Sequence, residues 1–182
     1  MGKTFAVRDI ALMGLMLSMI LMLAAVESML PSLPLNMRFG LSNAVTMYAL
    51  FFVGRRSALA LAALKSVFTL FMRGPIAGLM SLGGGICSLC AIAALASAWP
   101  GASYFILSIA GALTHNLAQI AVASWLVSTN LMPVYLPVMT ALGIPAGALT
   151  AVLLRVAMPV FKNISARRDA PGAAKNTEAP GA

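Results

Sequence analysis

The chain has 182 residues, of which 61% are hydrophobic and only 9% are charged. A soluble domain carries about 25% charged residues, so this chain cannot cover a globule with a hydrated surface. The composition excludes an ordinary cytosolic enzyme, a disordered regulator and a secreted disulfide scaffold, and it predicts a protein embedded in the lipid bilayer. Twelve Lys and Arg against four Asp and Glu give a net charge of +8. Because these basic residues are scattered at segment ends without interleaved aromatics, they indicate membrane topology and not nucleic-acid binding.

Six apolar segments follow one another along the chain, separated by Pro, Gly and charged residues. They cover about residues 10–30, 40–54, 57–72, 76–99, 103–128 and 134–161. Lengths near 20 residues are typical of helices that cross a bilayer. The second segment is short, so we expect the preceding stretch 31–39 to fold back into the protein. The prediction is an all-α membrane protein, an S-component-like bundle of six transmembrane helices in one domain at 1–162, with a disordered tail at 163–182.

Internal helix breakers are concentrated in the sixth segment. Pro137, Gly143 and Pro145 lie within it. Proline removes a backbone donor and restricts the residue before it, so we expect this helix to be interrupted.

The distribution of charge predicts the orientation of the bundle. Six spans place both termini on one side of the membrane, and that side has most of the basic residues: Lys3, Arg8, Arg55, Arg56, Lys162, Arg167, Arg168 and Lys175. The other side has only Arg38 and Arg73. Since loops rich in Lys and Arg stay inside, both termini are expected to be cytoplasmic.

A few polar residues interrupt the apolar segments and are the candidate substrate-binding residues. An ionisable group inside a span costs roughly 2.5–3.5 kcal/mol on insertion, so such groups usually face a bundle interior or a cavity. The candidates are Glu27, Asn43, Lys65, Arg73, His115, Asn116 and Gln119. We expect them to line one cavity that opens outward.

Each candidate has an expected role. Glu27 accepts hydrogen bonds or pairs with a cation, whereas Lys65 and Arg73 attract a negative group of the ligand. The three amides supply neutral donors and acceptors. The excess of cations in the outer half predicts an anionic or zwitterionic ligand.

Structural alternatives stay open for the same residues. Glu27 has a second interpretation as one half of an ion pair with Lys65 or Arg38. Lys65 has a further structural interpretation, in which its long side chain extends towards the cytoplasm and contacts no ligand. His115 and Gln119 are spaced i, i+4 on one helix face, so a polar clamp between helices is an alternative to a ligand site.

Three other motifs give weaker evidence of function than these polar residues do. Cys87-x-x-Cys90 has no further soft ligands nearby and indicates small apolar packing. Gly83-Gly84-Gly85 follows no strand and lacks a following Lys-Ser/Thr, so it does not predict a phosphate loop. The sequence therefore predicts no catalytic residue, no metal and no cofactor. Gly14 and Ser18 form a small-x-x-x-small pair that favours contact with a partner helix.

The order of these features resembles a known family, the Gx transporter family, which is also called heptaprenyl diphosphate synthase component I. The resemblance covers about residues 9 to 160. Its most specific elements are Gly40-Leu41-Ser42-Asn43 and His115-Asn116-Leu117-x-Gln119. Supporting matches are Glu27-Ser28 with Leu30-Pro31, Gly54, Ser81-Leu82-Gly83-Gly84, Tyr135-Leu136-Pro137 and the glycines 143 and 147. Lys65 stands where the family often has arginine.

The resemblance implies a substrate-binding S component of an energy-coupling-factor transporter. Such a protein captures a small nutrient from outside and associates with a transmembrane coupling protein and two cytoplasmic ATPases. Gly14 and Ser18 would then contact the coupling protein. The expected location is the bacterial cytoplasmic membrane, with several passes.

The family's second name implies an alternative, an accessory subunit of isoprenoid synthesis. Prenyl diphosphate synthases of the trans type hold magnesium and diphosphate with clustered aspartates, because magnesium takes oxygen ligands. This chain has only Asp9 and Asp169, at opposite ends. We therefore predict that the chain is not an enzyme by itself.

Overall fold

The computed structural model describes residues 7–29, 40 and 42–169. The regular secondary structure within these ranges is entirely helical. The helices are α1 (Val7–Met29), α2 (Asn43–Tyr48, continued by a π-helical turn Ala49–Val53), α3 (Arg55–Arg73), α4 (Pro75–Ala98), α5 (Tyr104–Val127) and α6 (Met132–Asp169). The all-α prediction is confirmed. The predicted fold-back at 31–39 lies outside the described residues.

Glycine and proline set the tight connections between helices. Gly54, with φ of 134°, separates the end of α2 from the start of α3. Gly74 has φ of 91° and ends α3, and Pro75 starts α4 at once. A proline at the first helical position loses no hydrogen bond, because that amide has no partner within the helix. Ser103 caps α5 by accepting a hydrogen bond from the Ile106 amide at 3.3 Å.

Within the described residues, four helices are long and apolar enough to cross a membrane. They span Ile10–Glu27, Pro75–Ala98, Tyr104–Val127 and Met132–Val156. The protein is therefore a membrane-embedded, multi-pass helical protein. The other two helices, α2 and α3, do not meet these criteria of length and apolar composition, each for its own reason. The apolar helix Asn43–Val53 has only 11 residues, about 16 Å of rise, and α3 contains four basic residues.

Packing follows the order of the chain. Helices α3 to α6 pack as consecutive antiparallel neighbours, while α1 packs on α2 and α3, and α2 also contacts α6. The largest core cluster includes Met16, Tyr48 and Leu61. On the outside, large apolar side chains such as Phe71 and Trp125 are exposed, as expected where lipid is the solvent.

The expected interruption of α6 is wrong. This helix runs through Pro137, Pro145 and Pro159 without a break. A proline inside a membrane helix is tolerated where neighbouring helices and local adjustments satisfy the freed backbone groups. The helix also continues to Asp169, past the predicted start of the tail, and residues 170–182 lie outside the described part of the chain.

The orientation can be tested with single cysteines in the two exposed loops that flank α5. Cys87 and Cys90 are first replaced by alanine, and one cysteine is then placed at Gly101 or at Asn130. We expect a membrane-impermeant maleimide to label Asn130→Cys on intact cells, and Gly101→Cys only after permeabilisation. The reverse pattern would contradict the orientation, and labelling of both on intact cells would contradict a crossing by α5.

A polar cavity as the candidate ligand-binding site

A polar cavity of about 290 Å³ lies between α1, α3, α4 and α5. Its polar lining consists of Glu27, Lys65, Thr69, Arg73, His115 and Gln119. Small-molecule pockets usually measure about 300–1,000 Å³, so this one suits a small metabolite or the head group of a larger one. Five of the seven predicted binding residues line it together.

Helix α3 supplies most of the charge. Lys65, Thr69 and Arg73 follow one another at i, i+4 and i+8, so they share one face of the helix. The Thr69 hydroxyl donates to the Lys65 carbonyl at 2.9 Å. The sequence analysis missed Thr69, although the four-residue spacing between the two predicted cations indicates it.

The ammonium of Lys65 is held inside the protein. Its Nζ donates to Asn43 Oδ1 at 2.7 Å. Asn43 is the first residue of α2, and its side chain and that of Lys65 are both half-buried. This contact joins the consecutive helices α2 and α3. Lys65 lines the cavity, whereas Asn43 lines a separate, smaller void, so we call the Lys65–Asn43 contact the floor of the cavity.

His115 and Gln119 form the wall on α5. Their Nε2 atoms lie 3.1 Å apart, and both residues are buried. This contact uses only the amide nitrogen, and Gln119 Oε1 is buried without a hydrogen-bond partner among the described residues. Burial of an amide oxygen without a hydrogen bond lowers the stability of the folded protein. Gln119 Oε1 is therefore available to accept a hydrogen bond from a donor group of a ligand.

Gly84 on α4 lies directly against this wall. A Cβ added at Gly84 would lie 2.8 Å from His115 Cε1 and 3.0 Å from Gln119 Cγ. Only a residue without a side chain lets α4 approach the imidazole so closely. Gly84 therefore allows the close contact between α4 and the His115–Gln119 wall. This contact is a structural reason for a glycine at this position.

Glu27 places a carboxylate in the same cavity. It lies in the last turns of α1, and only 5% of it is exposed. Arg38, its proposed partner in one interpretation, lies outside the described residues. The cavity thus has groups of both signs, and an anionic or zwitterionic ligand stays a prediction.

Asn116 does not join this set. Its Nδ2 donates to the Met139 carbonyl at 3.2 Å and links α5 to α6. A Cβ at Gly143 would lie 3.2 Å from the same Nδ2, so this link depends on close approach of the two helices. Because Asn116 is adjacent to His115 in the chain, it points to a different side of the helix. Asn116 therefore links two helices and is not among the residues that line the cavity.

The remaining motifs lie away from the cavity. Cys87 and Cys90 are free and exposed, so the small apolar packing that the motif indicates does not bury them. On α1, the Ser18 hydroxyl donates to the Gly14 carbonyl at 2.9 Å on an exposed face. Contact of this face with a partner helix stays a prediction. The described residues contain no group of three or more His, Cys, Asp or Glu close enough to share a metal ion.

Comparison with known proteins identifies the family. The family model for heptaprenyl diphosphate synthase component I matches residues 16–157, which begin within α1 and end within α6. Neither a curated protein nor a solved structure matches the chain. The match includes every described residue that lines the cavity. The chain therefore belongs to the heptaprenyl diphosphate synthase component I family.

Proposed function

We propose that the protein is a membrane subunit that binds a small anionic or zwitterionic molecule in this cavity. The observation that supports the proposal is the convergence of Lys65, Arg73 and Glu27 with the His115–Gln119 wall around one space. Ionisable side chains at membrane depth are expensive, and those that line a common cavity generally bind or conduct something. The bundle supplies charges and amides that bind and orient a ligand.

In this proposal, six segments cross the bacterial cytoplasmic membrane and both termini are cytoplasmic. Helix α3 crosses despite its charges, because two of them lie at its first turn and the other two line the cavity. Arg55 and Arg56 start α3 at the end of the bundle opposite to Arg73. The positive-inside tendency places that arginine pair in the cytoplasm and the cavity in the outer half of the membrane.

Family membership favours isoprenoid synthesis as the setting. The protein then acts as an accessory component of heptaprenyl diphosphate synthesis, and a partner supplies the catalytic carboxylates. This agrees with the prediction that the chain is not an enzyme by itself. A cavity of about 290 Å³ is too small to enclose seven isoprene units, so a prenyl ligand would place only its head group there.

The cavity favours a second setting, a nutrient importer of the energy-coupling-factor type. A polar pocket in the outer half is what such a substrate-binding subunit needs. In this setting the exposed face with Gly14 and Ser18 contacts a transmembrane coupling protein, and separate cytoplasmic ATPases provide the energy. Both settings share the ligand-binding role and differ in the partner.

Co-purification separates the two settings. The tagged protein is extracted from native membranes in mild detergent, and the bound proteins and small molecules are identified by mass spectrometry. A prenyl synthase subunit with a prenyl lipid would indicate the accessory role, whereas a coupling protein, ATPases and a water-soluble metabolite would indicate import. Recovery of the protein without any specific small molecule would contradict the ligand-binding role in both settings.

A further inference from the structure

A second, much smaller void lies behind the floor of the cavity. It measures about 20 Å³; Gly40 lines both spaces, and Asn43 lines only the smaller one. Four hydroxyl side chains line it, one from each of four helices: Thr46 of α2, Ser88 of α4, Ser108 of α5 and Thr150 of α6. Each of these residues is more than nine-tenths buried.

These hydroxyls have unused hydrogen-bonding capacity. The Thr46 hydroxyl donates to the Asn43 carbonyl at 2.9 Å, and the Ser108 hydroxyl donates to Met47 Sδ at 3.3 Å. A thioether sulfur is a weak acceptor, and every hydroxyl also has two lone pairs. Since burial without partners is costly for polar groups, four hydroxyl side chains around one small void favour a hydrogen-bonding occupant.

We infer that this void holds one ordered water molecule, which bridges α2, α4, α5 and α6. A water needs about 10–15 Å³ of space and two to four polar partners, whereas voids that stay empty are lined by apolar groups. The volume of about 20 Å³ admits a single water, and the four hydroxyls supply donors and acceptors. The water is thus a structural part of the bundle.

The position of this water relates it to the candidate site. Thr46 and Asn43 lie in the first turn of α2, and Asn43 accepts the hydrogen bond from Lys65. A water that ties Thr46 to three other helices holds the start of this short helix in place. It therefore helps to fix the floor of the cavity, whatever ligand the cavity binds.

Radiolytic labelling provides a direct test, because hydroxyl radicals made from a trapped water oxidise the side chains beside it. Met47 lines the void and is only 2% exposed, so bulk solvent does not reach it. Met16 is equally buried, in the apolar core, and serves as the control. We expect a short X-ray dose on the purified full-length protein to oxidise Met47 several-fold more than Met16. Equal protection of the two methionines would overturn the inference.

Substitution of a lining hydroxyl gives a second test. Thr150→Val keeps the shape of the side chain and removes one partner of the water, so we expect a melting temperature lower by about 2–6 °C and weaker labelling of Met47. Thr140→Val is the matched control, since Thr140 is an exposed residue of the same helix. A rise in melting temperature for Thr150→Val would indicate a dry void. Stabilisation of the wild type by sodium chloride but not by choline chloride would indicate a cation, and either result overturns the inference.

Discussion

Replacing Lys65 by methionine is expected to weaken ligand binding strongly while the protein still inserts and folds. Methionine has a similar length and suits a helix in lipid, but it removes the ammonium that contacts Asn43 Oδ1 at 2.7 Å. Loss of a charge-assisted contact between this ammonium and a negative group of the ligand costs about 1.5–3 kcal/mol of binding free energy. This cost corresponds to a Kd that is about 10- to 150-fold weaker. The measurement is the amount of specific small molecule that co-purifies per mole of protein.

Arg56→Met is the matched control for this variant. Arg56 is also a basic residue of α3, but it is exposed in the first turn and does not line the cavity. We expect this control to retain the ligand at the wild-type ratio. If Lys65→Met also retained it, Lys65 would be a structural residue and the cavity would need another anchor.

Gly84→Ala has the second largest expected effect. The new methyl group would overlap the imidazole of His115 at 2.8 Å, so the His115–Gln119 wall must move. Overpacking of this kind costs about 1–3 kcal/mol, more than the gain of up to about 1 kcal/mol from the helix propensity of alanine. We expect a lower melting temperature and at least about tenfold less bound ligand, measured by thermal unfolding in detergent and by the same co-purification assay.

The adjacent glycine gives a close control. A Cβ at Gly85 would lie 3.5 Å from Ala62 Cβ, an ordinary contact. Gly85→Ala should therefore bind ligand like the wild type, with equal or slightly higher stability. Similar losses in both variants would mean that the helix as a whole, and not the contact with His115, is sensitive to substitution.

Much of the fold follows from simple patterns in the sequence. The first five apolar segments match helices to within a few residues, because proline, glycine and charge mark their ends. Glu27, Lys65 and His115 share a cavity because lipid gives an ionisable side chain few other places. The cost of charge in a membrane makes these residues predictable without knowledge of the tertiary structure.

Other features depend on the packing between helices, which periodicity does not reveal. Helix α6 continues through Pro137 and Pro145, which membrane helices tolerate where neighbouring groups satisfy the freed backbone carbonyls. Asn116 is next to His115 in sequence but bonds the Met139 carbonyl, since adjacent helical residues point about 100° apart. The small void behind Asn43 needs four helices to be placed together before its hydroxyls form a group.

Native mass spectrometry of the wild type and of a cavity-filling variant tests the central claim most directly. Ala77 lines the cavity on α4, so Ala77→Phe fills the space, whereas Ala94→Phe adds the same bulk on the exposed side of that helix. We predict that the wild type and Ala94→Phe leave the membrane with one bound small molecule and that Ala77→Phe lacks it. A wild type that is free of any bound molecule except phospholipid, or equal occupancy in all three proteins, would contradict ligand binding in this cavity.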